Sequence, residues 1–267
     1  MTTCTASGSV EGLARDDGPD RVRGRTVVFL HAHPDDEAIF TGVTMRRLAN
    51  RGARIVLITA TCGEEGGMRQ PLLFGETTAS RRMAELERAC DVLGVARLVP
   101  LGYRDSGMPG AASNHHQAAF ALADPQQAGR RLVRLLEHEQ IEALVHYDSD
   151  GIYRHPDHLR VHEAGIVAAA TMRVPTYETT MSRTCLAVYP GHLLAKDKPD
   201  GWLRTAGRQP SGIPLSIRAS REEWLAKREA MAEHCSQIGP QSLDKNFPQT
   251  YGTEWFLRSS PGLLDQL

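Results

Sequence analysis

The sequence predicts an α/β fold: a Rossmann-like, mostly parallel sheet with helices on both faces. Three observations predict it. Apolar runs of strand length alternate with amphipathic segments of helix length. The runs are apolar throughout rather than at every second position, as strands covered on both faces should be. Glycines and prolines punctuate the joins between the segments.

The elements follow in order. Residues 25–33 form the first strand, centred on Val27-Val28-Phe29-Leu30. Residues 38–51 place Ile39, Phe40, Val43 and Leu48 at helical spacing, and Gly52 stops the helix. A second strand spans 53–60. A Gly- and Glu-rich loop, 61–77, leads to a helix over 78–93 with Met83, Leu86, Cys90 and Leu93 on one face and Gly94 behind it. Strand three is 97–101, followed by an irregular stretch, 102–123, of the length expected of a binding loop. Asp124-Pro125 reads as cap and first position of a helix running through 139. Strand four is 141–147, then a loop over 148–157, a helix over 158–172 and a further strand over 184–189. Beyond about 190 the pattern weakens to an irregular C-terminal part, with a strand at 213–217 and a charged helix at 220–234. No internal repeat or low-complexity linker divides the chain. Residues 1–24 read as a flexible leader and 25–267 as a single domain.

Composition narrows the function. With 267 residues the chain can bury a full core, and 41% apolar with 24% charged residues is the balance of a globular domain. A net charge of −1 carries no footprint for nucleic acid or an anionic membrane surface. No apolar run approaches the roughly 18 residues that a membrane span requires. The five cysteines, widely spaced and without a CxxC pair, read as reduced thiols of a cytoplasmic protein. No glycine fingerprint for phosphate follows strand one, which argues against a nucleotide cofactor.

Two polar clusters carry the chemistry. His31-Ala32-His33-Pro34-Asp35-Asp36-Glu37 leaves the first strand, and His155-Pro156-Asp157-His158 follows the fourth. Isolated charges are costly to bury, so two such clusters at strand ends point to function rather than to packing. In a parallel sheet the loops at 31–37, 61–77, 102–123 and 148–158 all leave carboxyl ends and converge on one crevice. Imidazole and carboxylate donors suit zinc, which takes three protein ligands and keeps one position open in a catalytic site. Seven residues compete for those places (His31, His33, Asp35, Asp36, His155, Asp157 and His158), and spacing alone does not choose among them. His162, four residues after His158 on the helix, is a further candidate. The alternative is that these residues are helix caps and surface histidines.

His33-Pro34-Asp35-Asp36-Glu37 with His155-Pro156-Asp157-His158 downstream resembles the signature of the LmbE-like, or PIG-L, deacetylase family. The likeness extends to Gly63-Glu64-Glu65-Gly66, Arg82-Met83-Ala84-Glu85-Leu86, Tyr103-Arg104-Asp105-Ser106-Gly107-Met108 and Tyr153. It covers residues 25–165 well and the last hundred weakly. The resemblance implies a hydrolase that removes N-acyl groups from amino sugars with one divalent metal per chain, zinc or iron. It implies His33, Asp36 and His158 as metal ligands and Asp35 as general base. His155 then stabilises the oxyanion or protonates the leaving amine, charged near neutral pH. Arg82, Asp105 and Tyr153 match substrate-contacting positions, and Asp157, Asp148 and Asp150 are expected to orient those groups from behind. Trp202, Trp224 and Trp255 are candidates for stacking on a sugar.

The RDSGM stretch and the GEEG loop look most like the mycothiol branch of the family. That branch implies a GlcNAc-type substrate, an N-acylated small molecule. A mycothiol S-conjugate amidase, which needs a larger pocket on the thiol side, and a deacetylase for an antibiotic-linked amino sugar are the rival enzymes. Gly67, where that branch carries an acid, and residues 38–41 depart from its pattern. A carbohydrate-binding protein without turnover is the rival of another class; mere binding needs neither Asp35 nor His155.

Overall fold

A computed structural model describes residues 21–189, 192–193 and 206–267. Residues 1–20 of the expected leader, with Cys4, and Trp202 lie outside the described residues. Seven strands build one sheet: β1 (Thr26–His31), β2 (Arg54–Thr61), β3 (Arg97–Tyr103), β4 (Ile141–Tyr147), β5 (Thr176–Thr180), β6 (Leu215–Arg218) and β7 (Thr253–Arg258). Their spatial order is β3-β2-β1-β4-β5-β7-β6. Strands β1 to β5 pair in parallel, and β7 runs antiparallel to both β5 and β6.

Helices α1 (Asp36–Asn50) and α2 (Thr78–Leu93) cover one face of the sheet, and α3 (Pro125–Leu135) covers the other. A one-turn segment, α4 (Gly151–Arg154), precedes α5 (Pro156–Met172) on that second face. Then follow α6 (Arg183–Val188), α7 (Arg221–Glu233), packed beside α1 and α2, and the short α8 (Phe247–Tyr251). Strand β1 shows why its sequence is apolar throughout. Val27 and Phe29 enter the core under α1, α2 and α7, while Val28 and Leu30 enter the core under α3 and α5. The chain leaves β1 toward one face and β4 toward the other. The crevice between those neighbouring strands is therefore the switch point, where open α/β sheets bind ligands.

The helix expected through 139 ends at Leu135, and two further expectations change with a local cause. Helix α5 begins at Pro156 rather than at 158, because His155 caps it by accepting the Asp157 N–H at 3.2 Å and proline fits the first position. The segment expected as a strand over 184–189 is instead helix α6. Ser182 caps it by accepting the Cys185 N–H, and the Arg183 N–H is held by Arg208 O. The fifth strand lies earlier, at Thr176–Thr180.

The C-terminal part is bolted to α1 by buried charge. Glu254 on β7 accepts the Val43 and Thr44 N–H groups, at 2.8 and 2.9 Å, the Thr44 hydroxyl, and Lys227 Nζ at 2.7 Å. Burial lowers the Lys227 ammonium from its ordinary value, opposed by Glu254. Removing one member of a buried pair strands the other, so Lys227→Met should cost about 3–5 kcal/mol, read as a lowered urea midpoint.

Candidate metal and catalytic site

The loop after β1 and the loop after β4 meet at this switch point. A cleft of about 250 Å³ opens there, lined among others by His33, Asp35, Asp36, Arg82, Asp105, Tyr153 and His155. His33 stands at its centre. Its Nδ1 lies 3.2 Å from Asp36 Oδ2, and its Nε2 lies 3.2 Å from Asp157 Oδ2 and 3.5 Å from Asp105 Oδ1. His158 Nε2 reaches the same Asp36 oxygen at 3.3 Å.

Those spacings test the fit of a metal. Ligands about 2.0–2.1 Å from a tetrahedral zinc stand roughly 3.3–3.4 Å apart. Asp36 Oδ2 meets that spacing with His33 Nδ1 and with His158 Nε2. Among the described residues, the groups whose ligand atoms all lie within 4.8 Å of one another are His33, His155 and His158, and His33, Asp105 and Asp157; Asp36 belongs to neither. All three carboxylates around the ring also accept from protein donors, Asp36 Oδ2 taking the His33 N–H at 2.8 Å. Asp157 accepts the Ser106 N–H at 2.9 Å and the Ser106 hydroxyl, and Asp105 accepts the Gly107 N–H at 2.8 Å and the Glu65 N–H at 3.2 Å. A ring that donates Nε2–H to this pair keeps Nδ1 for a cation.

The electrostatics point the same way. Burial works against the His33 proton, but hydrogen bonds to Asp105, Asp157 and Asp36 raise its pKa well above the usual value. Burial also opposes the Asp36 charge, yet His158 and His33 hold that carboxyl well below its ordinary range. Three carboxylates gathered on one buried imidazole form a site for positive charge. The His158 ring is oriented by stacking. It lies on Tyr147 with centroids 4.2 Å apart and planes 19° from parallel, and its Nδ1 finds no hydrogen-bond partner among the described residues.

Asp35 sits beside this cluster. Its backbone is left-handed, at φ 108°, a strain of about 1–3 kcal/mol for a residue with a side chain. Arg82 Nη2 lies 3.2 Å from Asp35 Oδ2, and the same guanidinium donates to Gly63 O at 2.8 Å and to Pro34 O. Burial raises the Asp35 carboxyl to about 6, opposed by Arg82 and reinforced by Asp36. The GEEG glycines make room for that arginine: a Cβ at Gly63, itself at φ 70°, would lie 2.3 Å from Arg82 Nη1, and one at Gly66 2.4 Å. Arg82 is thus a buried brace for Asp35.

Asp148 shapes the other loop. Its Oδ1 accepts the Ile152 N–H at 2.9 Å and the Asp150 N–H at 3.1 Å, and its Oδ2 takes the Thr180 hydroxyl at 2.6 Å. The turn so held presents Tyr153, whose hydroxyl lies 3.4 Å from His158 Nε2. His155 differs from its expected charge. Burial first, then the neighbouring His33, lower its pKa to about 2. Its Nδ1 accepts the Asp157 N–H, so the neutral ring carries its proton on Nε2.

Other candidates fall away. His31 is buried between Tyr147 Oη at 3.0 Å and Thr41 Oγ1 at 2.8 Å, and burial lowers it to about 4. His162 Nδ1 lies 3.0 Å from Tyr147 O. Trp224 and Trp255 line a separate cleft of about 550 Å³ that shares no residue with this one. Two residues of the site had no signal in the sequence: Gln237, which lines the cleft, and His234, hydrogen-bonded to Glu37. Both lie in the weakly patterned C-terminal part.

A largely parallel α/β sheet with imidazole and carboxylate donors gathered at its switch point is the layout of a metal-dependent hydrolase. Residues 28–169 match the model of the family described as PIG-L: GlcNAc-PI de-N-acetylase. The chain belongs to that family. It is 35% identical over 252 residues to the 1D-myo-inositol 2-acetamido-2-deoxy-alpha-D-glucopyranoside deacetylase of Salinispora arenicola, covering 86% of this chain and 82% of that one. It is 43% identical over 241 residues to the deacetylase of the same name from Thermobispora bispora, covering 80% of each. Among solved structures, a deacetylase of teicoplanin biosynthesis in complex with teicoplanin superposes with a TM-score of 0.60 at 19% identity, covering 88% of this chain and all of that one. At that identity the likeness is one of fold. No helix among the described residues is long and apolar enough to cross a membrane.

Proposed function

We propose that this protein is a zinc-dependent N-deacetylase of a GlcNAc-type amino sugar, with His33, Asp36 and His158 holding one metal ion per chain. The observation that supports the reading is the Asp35 carboxylate lining one cleft with His33, Asp36 and His155, while His158 Nε2 lies 3.3 Å from Asp36 Oδ2. A divalent metal held by those three ligands supplies Lewis acidity toward an amide carbonyl and brings the pKa of water to roughly 7. Iron(II) suits the same donors.

The chain's own residues do the rest. Asp35, ionised above about pH 6, takes the proton of the attacking water. His155 turns Nε2–H toward the carbonyl oxygen, where a neutral donor in a dry site stabilises developing negative charge. Tyr153 Oη offers a second donor from the adjoining turn. The proton that Asp35 gains passes to the departing nitrogen as the C–N bond breaks, leaving the free amine and acetate. Arg82 and Asp105, the positions matched to substrate contacts, have their polar groups turned toward Asp35 and His33.

The cleft also bears on the substrate. At about 250 Å³ it lies below the ~300–1,000 Å³ of drug-sized ligand pockets, which suits a small acyl group on one sugar. The curated relatives act, by their names, on a 2-acetamido sugar carried on inositol. Amine release measured on GlcNAc-inositol, a mycothiol S-conjugate and an acylated glycopeptide tests the assignment. Release from GlcNAc-inositol at a kcat/KM at least ~100-fold above the other two is expected. Preference for the conjugate would make the protein an amidase, and silence on all three would remove the assignment.

A further inference from the structure

His234 follows α7, outside the span matched by the family model and 197 residues from Glu37 in the chain. In the fold the two meet. His234 Nε2 lies 2.6 Å from Glu37 Oε1, and both residues are fully buried. The other Glu37 oxygen accepts the backbone N–H of Asp35 at 2.9 Å. One carboxylate therefore joins a C-terminal imidazole to the backbone of the residue read as the base.

That backbone is the strained one. At φ 108° Asp35 occupies a region that residues with side chains seldom visit, so the surroundings must hold it there. The hold on its N–H comes from Glu37, and the hold on Glu37 comes from His234. The segment after α7 is itself clamped: Ser236 N–H and hydroxyl donate to Glu85 on α2 at 3.0 and 2.6 Å, and Ser236 O accepts the Arg69 N–H. The second ring nitrogen of His234 has no partner among the described residues, so its polar function is spent on Glu37 alone. An apolar pair would pack α1 against α7 equally well. It would leave the Asp35 N–H without an acceptor.

We propose that His234 is a positioning residue for the reaction: through Glu37 it fixes the left-handed turn that aims the Asp35 carboxylate into the cleft. The proposal rests on Asp35 acting as base.

Two substitutions of similar polarity test it. Glutamine places its amide nitrogen where imidazole Nε2 lies, whereas asparagine reaches only the place of Nδ1. His234→Gln should keep kcat within about threefold of wild type, and His234→Asn should lose between about 10-fold and 100-fold in kcat, as small misplacements of a reacting group do. KM should stay within about twofold in both, because the lost interaction serves the transition state and not binding. Equal kcat in the two variants would overturn the proposal. A readout free of turnover is hydrogen exchange at the Asp35 amide. It should be strongly protected in wild type and His234→Gln, and at least ~10-fold faster in His234→Asn. An Asp35 amide that exchanges freely in the wild-type protein also overturns it, even if neither variant folds. Failure of the base assignment looks different: Asp35→Asn would then turn over normally while the Asp35 amide stayed protected.

Discussion

Asp35→Asn should lower kcat by about 10²–10⁴, the usual worth of a positioned general base, while about one equivalent of metal stays bound. Asparagine has the same shape and can keep the contact with Arg82, so the change removes proton affinity with little else. Wild-type kcat/KM should fall as pH drops through about 6, where the buried carboxyl takes up a proton and can no longer accept one from water. The sign follows from burial: it raises the Asp35 pKa above the ordinary carboxyl value, so the active, ionised form is lost earlier on acidification than in an exposed aspartate. In Asp35→Asn that acid limb should vanish. Steady-state rates of amine release between pH 5 and 8, with metal content determined on the same samples, supply the measurement. A near wild-type rate with metal bound would take the role of base away from Asp35.

The second large effect is loss of the metal itself. His158→Ala should weaken metal affinity by more than ~100-fold, since loss of even an outer partner of a ligand costs ~10–100-fold. The Asp36 oxygen that now sees two imidazoles would see one, and the Tyr147 ring would lose its stacking neighbour. His33→Ala should do the same and also remove the imidazole that Asp105 and Asp157 share. His162→Ala is the contrast, because His162, one helical turn after His158, is turned to the Tyr147 backbone carbonyl. Elemental analysis after dialysis against a chelator should find the wild type and His162→Ala loaded and the other two empty. One equivalent retained in His158→Ala would strike that residue from the ligand set.

Much of the cleft was legible in residue order. His33, Asp35, Asp36 and His155 line one crevice and His158 is buried beside Asp36, because a parallel sheet sends every carboxyl-end loop to the same edge. The loop motifs also had readable backbone reasons, since a Cβ at Gly63 or Gly66 would force the Arg82 guanidinium to shift from its place. Less legible was protonation. The neutral state of His155 depends on burial and on the nearby His33, which residue types do not reveal.

By itself the sequence determined the α/β alternation, the doubly buried character of β1 and β2, and the two polar clusters at strand ends. These are local signals: period, composition and short motifs are set by neighbours in the chain. Tertiary structure alone decided the rest. Strand β5, Thr-Tyr-Glu-Thr-Thr, carries no apolar run, and is a strand because β4 and β7 bond it on both sides. The reach of His234 to Glu37, of Lys227 to Glu254 and of Arg82 to Asp35 joins separate elements of the chain. Such contacts leave no periodic trace, because each is worth making only after the sheet has brought its two ends together.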